Sequence, residues 1–380
     1  MIAPFSFSGF PRLTFGAGRI SCLPDLIKPF GSRVLLVIGN RSFKRRELAG
    51  ENTFQYPVSG EPSPETVDKA VREFHEKEID LVVAAGGGSV IDAGKAISAM
   101  LPSGEPVADF VEGVGDKKHD GRKIPFIAVP TTAGTGSEAT KNSVLSRVGE
   151  GGFKRSLRHD AFMPDAALVD PELTLSCPPD LTAACGMDAL SQLLEAFVSV
   201  KAGPLTDALA GVGLERAGRS LVKAYENGRR DLDARADMAL AAFLSGISLA
   251  HAGLGVVHGF ASSVGARFNI PHGALCGTLL AESMKATMEA LRQKNDRKGL
   301  EKFAKAGRIF TGKRGPDAAS ACSRFLDALF DLTEKLRLPR LSAFGVTEAV
   351  IPALAAATEN KNNPAPLSSV EMAAVLKARL

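Results

Sequence analysis

Residues 81–98 read LVVAAGGGSVIDAGKAIS, and the fold is decided there. Leu81 to Ala85 is a short apolar run of the kind that forms a strand buried on both faces of a parallel sheet. Gly86, Gly87 and Gly88 end it, and an apolar helical pattern opens near Val90. Ser89 can cap that helix, with Asp92 three residues later completing a capping box. Glycines between a strand and a helix let the backbone approach a pyrophosphate and leave the first helical N–H groups free to bind its oxygens. A tight turn without a ligand fits GGGS equally well, because the GxGxxG spacing is absent.

The alternation continues on both sides. Val34–Ile38 (VLLVI), Ile124–Val129 (IPFIAV) and Ala166–Val169 (AALV) are further short apolar runs. Between the first two, residues 63–77 place Val67, Val71 and Phe74 at helical spacing. Short strands alternating with helices indicate a mostly parallel sheet. The loop PTTAGTGSE, residues 130–138, brings Thr131, Thr132 and Thr135 to the carboxyl end of a strand, where such sheets bind ligands. Two loops of this kind favour nucleotide binding over a solvated connection. The earliest run ends in Gly39-Asn40-Arg41-Ser42, with Lys44, Arg45 and Arg46 close behind. An acidic residue there would bond a ribose 2′-OH and repel a 2′-phosphate. Glycine beside cations suits the 2′-phosphate, hence NADP rather than NAD. A solvated basic helix start reads from the same run.

Beyond residue 172 the texture changes. Thirteen of the 22 prolines precede it, whereas none falls between Pro204 and Pro271, where Ala, Leu and Arg recur at helical spacing. The break lies near Leu175–Asp180 (LSCPPD), giving an α/β domain over 1–177 and an all-helical one over 178–380. Two domains also suit 380 residues. With 45% hydrophobic and 23% charged residues the chain can bury a core unaided, which excludes collagen, coiled coil and disorder. The 46 basic and 42 acidic residues leave only +4, too little to argue for a nucleic-acid partner. Five scattered cysteines without a CxxC pair exclude a disulfide framework and a cysteine-rich zinc module. The N-terminus lacks the basic-then-apolar order of a signal peptide, and Asp92 and Lys95 break the most apolar window. A cytoplasmic protein without a membrane partner is expected.

Few polar groups interrupt the helical half. Asp188 opens an apolar helix in GMDALSQ, and His258 and His272 lie 14 residues apart in VVHGFASSVGARFNIPHG. A carboxylate and two imidazoles from different helices can converge on one divalent cation and leave a position for a substrate oxygen. Histidines satisfied inside the core would read the same way.

Taken together, GGGSVIDAGKAIS, PTTAGTGSEAT, DAALVDPELT, LTAACGMDALSQLLEAFVS, the two HG pairs and Asn363-Pro364 resemble the iron-containing alcohol dehydrogenases, of the dehydroquinate synthase-like superfamily. The resemblance runs from about residue 8 to the C-terminus. It implies a dinucleotide-binding α/β domain, a helical metal-binding domain, and an active-site cleft between them. It places the pyrophosphate on Gly87, Gly88 and Ser89, with Asp92 closing the turn. Thr131, Thr132 and Thr135 would line the nicotinamide side, and Lys154 would approach the cofactor ribose. Asp188, His258 and His272 match three of four metal ligands, for Fe²⁺ or Zn²⁺. The family's fourth ligand, a histidine one turn after the aspartate, is Gln192 here, a poorer donor, so metal binding should be weaker or absent. The usual proton-relay histidine is Ser262, and His251, on roughly the same helix face as His258, is a second candidate or a packing residue. Gly39, where NAD-preferring members tend to carry aspartate, agrees with NADP.

The implied reaction is hydride transfer between a nicotinamide and a small aldehyde, ketone or alcohol, with the metal as Lewis acid. A metal-independent, maleylacetate-reductase-like enzyme acting on oxo acids is the nearest rival, and a dehydroquinate-synthase-like lyase a weaker one. The cleft is expected to be mostly apolar, with Phe110, Phe162, Phe197 and Phe268 as candidate walls. A homodimer joined through the N-terminal strand near Phe15 is also implied.

Overall fold

A computed structural model describes residues 5–39, 43, 49–149, 151–313, 315 and 317–380. Its sheet has six parallel strands: β1 (Arg12–Phe15), β2 (Val34–Gly39), β3 (Thr53–Val58), β4 (Leu81–Gly86), β5 (Phe126–Pro130) and, after a separate hairpin, β8 (Ala166–Val169). The order is β1-β8-β5-β4-β2-β3. The hairpin, β6 (Asn142–Arg147) with β7 (Phe153–Arg158), is antiparallel and stands apart from the sheet. Strand β3 and the hairpin escape the sequence reading, because polar residues break their runs.

The inner strands are apolar on both sides, and their alternation divides them between two cores. Leu35, Val37, Val82 and Ala84 share one core with Val67 and Val71 of α2 (Pro64–Phe74) and Ile97 of α3 (Gly88–Met100). Val34, Leu36, Leu81 and Val83 share the other with Leu26 of α1 (Leu23–Ile27). Side chains alternate across a strand, so a continuous apolar run is what burial on both faces requires.

Helix α3 starts two residues earlier than its apolar pattern suggests. Gly87 is the N-cap and no side chain caps the helix. Ser89 is therefore inside the first turn, and the expected capping box is not formed. Asp92 Oδ1 instead accepts a hydrogen bond from Ser137 Oγ at 2.5 Å, which ties α3 to the hydroxyl-rich loop after β5.

The helical part begins with α4 (Pro179–Val198), followed by α5 (Pro204–Asn227), α6 (Leu232–Ala252), α7 (Val256–Gly265) and α8 (His272–Gln293). It continues through α9 (Arg297–Thr311), α10 (Ala318–Lys335), α11 (Ile351–Ala357) and α12 (Ser369–Ala378). Its own core includes Leu190, Leu194 and Phe197 of α4, packed among α5, α6 and α8. The short turn Ser137–Ala139 rests on α6 and so brings the carboxyl edge of the sheet against the helices. Among the described residues no single helix is long and apolar enough to cross a membrane.

Candidate active site

A cavity of about 490 Å³ opens between that sheet edge and the helices. Gly88 and Ser89 from the start of α3, with Asp92 and Thr135, form part of one wall, and His258 and His272 part of the other. The first N–H groups of α3 have no acceptor within an α-helix and carry its positive dipole end, the arrangement that binds phosphate oxygens. Lys154, on β7, also lines the cavity and pairs with Glu61 at 2.5 Å.

Opposite α3, three helices place their polar groups at one point. Asp188 Oδ1 lies 3.5 Å from Nε2 of both His258 and His272. It is buried and finds no hydrogen-bond partner among the described residues. Cys276 Sγ, one turn along α8 from His272, lies 3.8 Å from each of the same two nitrogens. One donor atom from each of the four residues falls within 4.8 Å of the others. The HG pairs of the sequence have a packing reason. A Cβ at Gly259 would sit 2.0 Å from the Glu359 carbonyl oxygen, and one at Gly273 2.2 Å from that of Ala184. Only glycine after each histidine lets α7 approach the Glu359 backbone, and α8 approach α4, so closely.

The charges of the cluster are mutually adjusted. Burial alone would raise the Asp188 carboxyl, but the two imidazoles outweigh it and hold it below the usual range. Burial would also depress both imidazoles. Cys276 and Glu195 raise His258 well above its ordinary value, and Cys276 and Asp188 raise His272. A buried carboxylate oxygen left without a donor, facing two imidazole nitrogens and a thiol, fits a divalent cation.

Two family models match the chain: "Iron-containing alcohol dehydrogenase" over residues 11–171 and "Fe-containing alcohol dehydrogenase family, C-terminal" over residues 182–380. The chain belongs to the iron-containing alcohol dehydrogenase family. It is 33% identical over 387 residues to long-chain-alcohol dehydrogenase 1 of Geobacillus thermodenitrificans, covering 97% of this chain and 95% of that one. It is 32% identical over 351 residues to the NADPH-dependent butanol dehydrogenase of Clostridium saccharobutylicum, covering 89% and 86%. The structure of sulfoacetaldehyde reductase from Bifidobacterium kashiwanohense in complex with NAD⁺ superposes with a TM-score of 0.86 at 26% identity, covering 99% of each chain. The chain is thus an oxidoreductase of alcohols.

Against this family background, the structure brings most of the expected site together and redirects several members. Gln192 lines the cavity, yet its amide oxygen is 2.7 Å from Ser245 Oγ. Ser262 lines it too, donating to the His258 carbonyl at 3.0 Å while Lys361 Nζ approaches its oxygen at 3.4 Å. His251 faces the N-terminal segment instead: its ring stacks on Phe7 at 3.9 Å and Nε2 lies 3.0 Å from Ser8 Oγ. Thr132 packs beside Gly87, and Thr131 is buried with its N–H on the Gly86 carbonyl. Gly39 ends β2, while Arg41 and Ser42, with Lys44 to Arg46, lie outside the described residues.

None of the four candidate phenylalanines lines the cavity, and Phe110 packs against a core of the sheet domain. Phe162 and Phe197 are buried in separate cores, and Phe268 packs against the helical one. Leu249, Leu254 and Ala261 supply apolar wall, and Lys141, Arg155, Arg158 and Lys361 add cations that the sequence reading does not expect. Glu195 also escapes the sequence reading. It sits seven residues after Asp188 on the same helix face, in an otherwise apolar run, which is the signal that could have found it. Its Oε2 is 2.6 Å from His258 Nδ1 and its Oε1 accepts the Val257 N–H at 2.6 Å.

Proposed function

We propose that this family member exchanges a hydride between a nicotinamide cofactor, NADP rather than NAD, and a small aldehyde, ketone or alcohol. A divalent cation, Fe²⁺ or Zn²⁺, would be held by Asp188, His258 and His272. The observation that carries the reading is the unpartnered Asp188 Oδ1 between two imidazoles, on the wall facing the start of α3. When bound, the nicotinamide supplies the hydride chemistry and the cation polarises the substrate oxygen.

The protein's own groups supply position and charge. Gly87, Gly88 and Ser89 offer the pyrophosphate the start of α3, with no side chain at the first two positions. Asp92, held by Ser137, keeps the loop of Thr131, Thr132 and Thr135 beside that turn. Lys154 sits where it can meet the cofactor ribose once Glu61 shares it. Glu195 accepts from His258 Nδ1, which leaves Nε2 as the lone pair that ligates. Ser262 and Lys361 stand where the substrate oxygen would exchange its proton. The preference for NADP draws on Gly39 at the end of β2, where no carboxylate would meet a 2′-phosphate.

One observation also supports the oxo-acid reading. Lys361, Arg155 and Arg158 give the cavity the cations that a carboxylate substrate would need. We further place the domain boundary at 177/178 and read the protein as a cytoplasmic homodimer. Support for the dimer is the position of β1 at the sheet edge, hydrogen-bonded to β8 on one side.

Elemental analysis of protein purified without chelator, with NADPH and NADH oxidation followed on aldehydes and oxo acids, tests both readings. About one metal per chain and metal-dependent aldehyde turnover with NADPH are expected. Oxo-acid turnover that ignores chelator and added metal would overturn the metal-dependent reading in favour of the other.

A further inference from the structure

We propose that Cys276, not Gln192, is the fourth ligand of the cation, making the set one carboxylate, two imidazoles and one thiolate. This rests on the metal-dependent reading above. Gln192 occupies the place one turn after Asp188, but only its amide oxygen can ligate a cation. That oxygen is 2.7 Å from Ser245 Oγ, a fully buried hydroxyl on α6. Ser245 shares its single proton with the Ala242 carbonyl, also at 2.7 Å, so the serine is fixed in place beside the glutamine.

Cys276 has the opposite disposition. It follows His272 by one turn of α8, so its sulfur rises beside that imidazole. The sulfur lies 3.8 Å from Nε2 of His258 and 3.8 Å from Nε2 of His272, and both nitrogens lie 3.5 Å from Asp188 Oδ1. Metal bonds of about 2.0–2.3 Å at tetrahedral angles separate ligand atoms by roughly 3.3–3.8 Å. Four of the six pairs thus already stand at ligand spacing, and all six lie within 4.8 Å. Cys276 is fully buried, and the two imidazoles are the hydrogen-bonding partners of its sulfur. The histidine lost at Gln192 is replaced from another helix, at a different corner of the same site.

The exchange changes the chemistry of the set. On ligation the thiol gives up its proton, so the protein ligands carry −2 with Asp188, where a neutral glutamine would leave −1. A soft thiolate donor also favours zinc over ferrous iron. The four other cysteines lie outside the cluster, so a sulfur–metal signature reports Cys276 alone.

Chelator-stripped protein is titrated with Co²⁺, and the thiolate-to-cobalt charge-transfer absorption in the near ultraviolet is recorded with the binding isotherm. Wild type is expected to show the band at one cobalt per chain. Cys276→Ser should lose the band and bind cobalt on the order of a hundredfold more weakly. Gln192→Ala should keep it. Zinc-loaded wild type gives a variant-free check by X-ray absorption, with one sulfur at about 2.3 Å expected. One bound metal with only nitrogen and oxygen neighbours, or a band that survives in Cys276→Ser, overturns the assignment of Cys276 and leaves the metal-dependent reading standing. No metal binding by wild type overturns both.

Discussion

Glu195 grips α7 with both carboxylate oxygens, Oε2 at 2.6 Å from His258 Nδ1 and Oε1 at 2.6 Å from the Val257 N–H. The first contact fixes the imidazole tautomer, and the second holds the start of the helix that carries it. Glu195→Gln offers Nδ1 an amide that can donate, which would put the ring proton on Nε2, the nitrogen facing Asp188. The variant is expected to fold and to lose about ten- to a hundredfold in Zn²⁺ affinity. Competition with a chromogenic chelator measures it, and an affinity within threefold of wild type would show that the contact is only structural.

Asp92, Lys95 and Glu138 are sunk beside the loop after β5, and the last two give a readable pH dependence. Burial raises the Glu138 carboxyl to about 7 from its ordinary 4.5, and lowers the Lys95 ammonium to about 8 from 10.5. Between pH 4.5 and about 7 the native state holds a proton on Glu138 that the unfolded chain has lost, so stability falls as pH rises. Between about 8 and 10.5 the unfolded chain holds a proton on Lys95 that the native state has lost, so stability rises again. Glu138→Gln removes its own share of the falling limb and leaves that of Asp92, whose carboxyl burial also raises. The variant's stability relative to wild type should be about 2–3 kcal/mol more favourable at pH 7.5 than at pH 4.5. Urea unfolding at both pH values measures this, and a difference that does not change with pH would refute it.

What the sequence disclosed follows from how local each signal is. Strands β2, β4, β5 and β8 are legible because burial on both faces leaves them uniformly apolar, and the Gly-rich turn is legible because backbone approach excludes side chains. Ser89 misleads because capping is inferred from spacing, whereas the helix begins at Gly88 and the Asp92 carboxylate accepts from Ser137, 45 residues away. The metal cluster is half legible. Asp188, His258 and His272 announce themselves as polar groups in apolar helices. Cys276 does not, because a lone buried cysteine is ordinary core. Cysteine spacing tests for modules held by several thiols, not for one thiol joining ligands from other helices. The cations of the cavity wall come from the residue before β6, from β7 and from the turn after α11, segments whose sequences read as solvated surface.

Gly246, on α6, is where the loop after β5 meets the helices. A Cβ there would lie 2.1 Å from the Gly136 carbonyl oxygen, and Gly136 itself has φ +62°, a region that favours glycine. Gly246→Ala must push the loop off α6, which costs about 1–3 kcal/mol by overpacking. Because that loop carries Thr135 and holds Asp92 through Ser137, cofactor binding should weaken with it. Thermal unfolding and NADPH titration followed together check the link. Lost stability with unchanged cofactor affinity would separate the two.

Lys361 is held at φ +50°, in the left-handed region, with Nζ 3.4 Å from Ser262 Oγ on the cavity wall. Ser262 spends its own proton on the His258 carbonyl, so a proton given to substrate from its hydroxyl must be replaced from Lys361. Partial desolvation at the cavity holds the Lys361 ammonium below its ordinary value, against Glu195 and Glu359, although the side chain reaches solvent. Lys361→Met is therefore expected to lower kcat by about a hundredfold and Ser262→Ala by less, since water can take the place of one hydroxyl. The solvent isotope effect on kcat should rise in Lys361→Met as proton transfer becomes limiting. An effect confined to KM, with kcat intact, would make Lys361 a substrate-binding cation and not a proton donor.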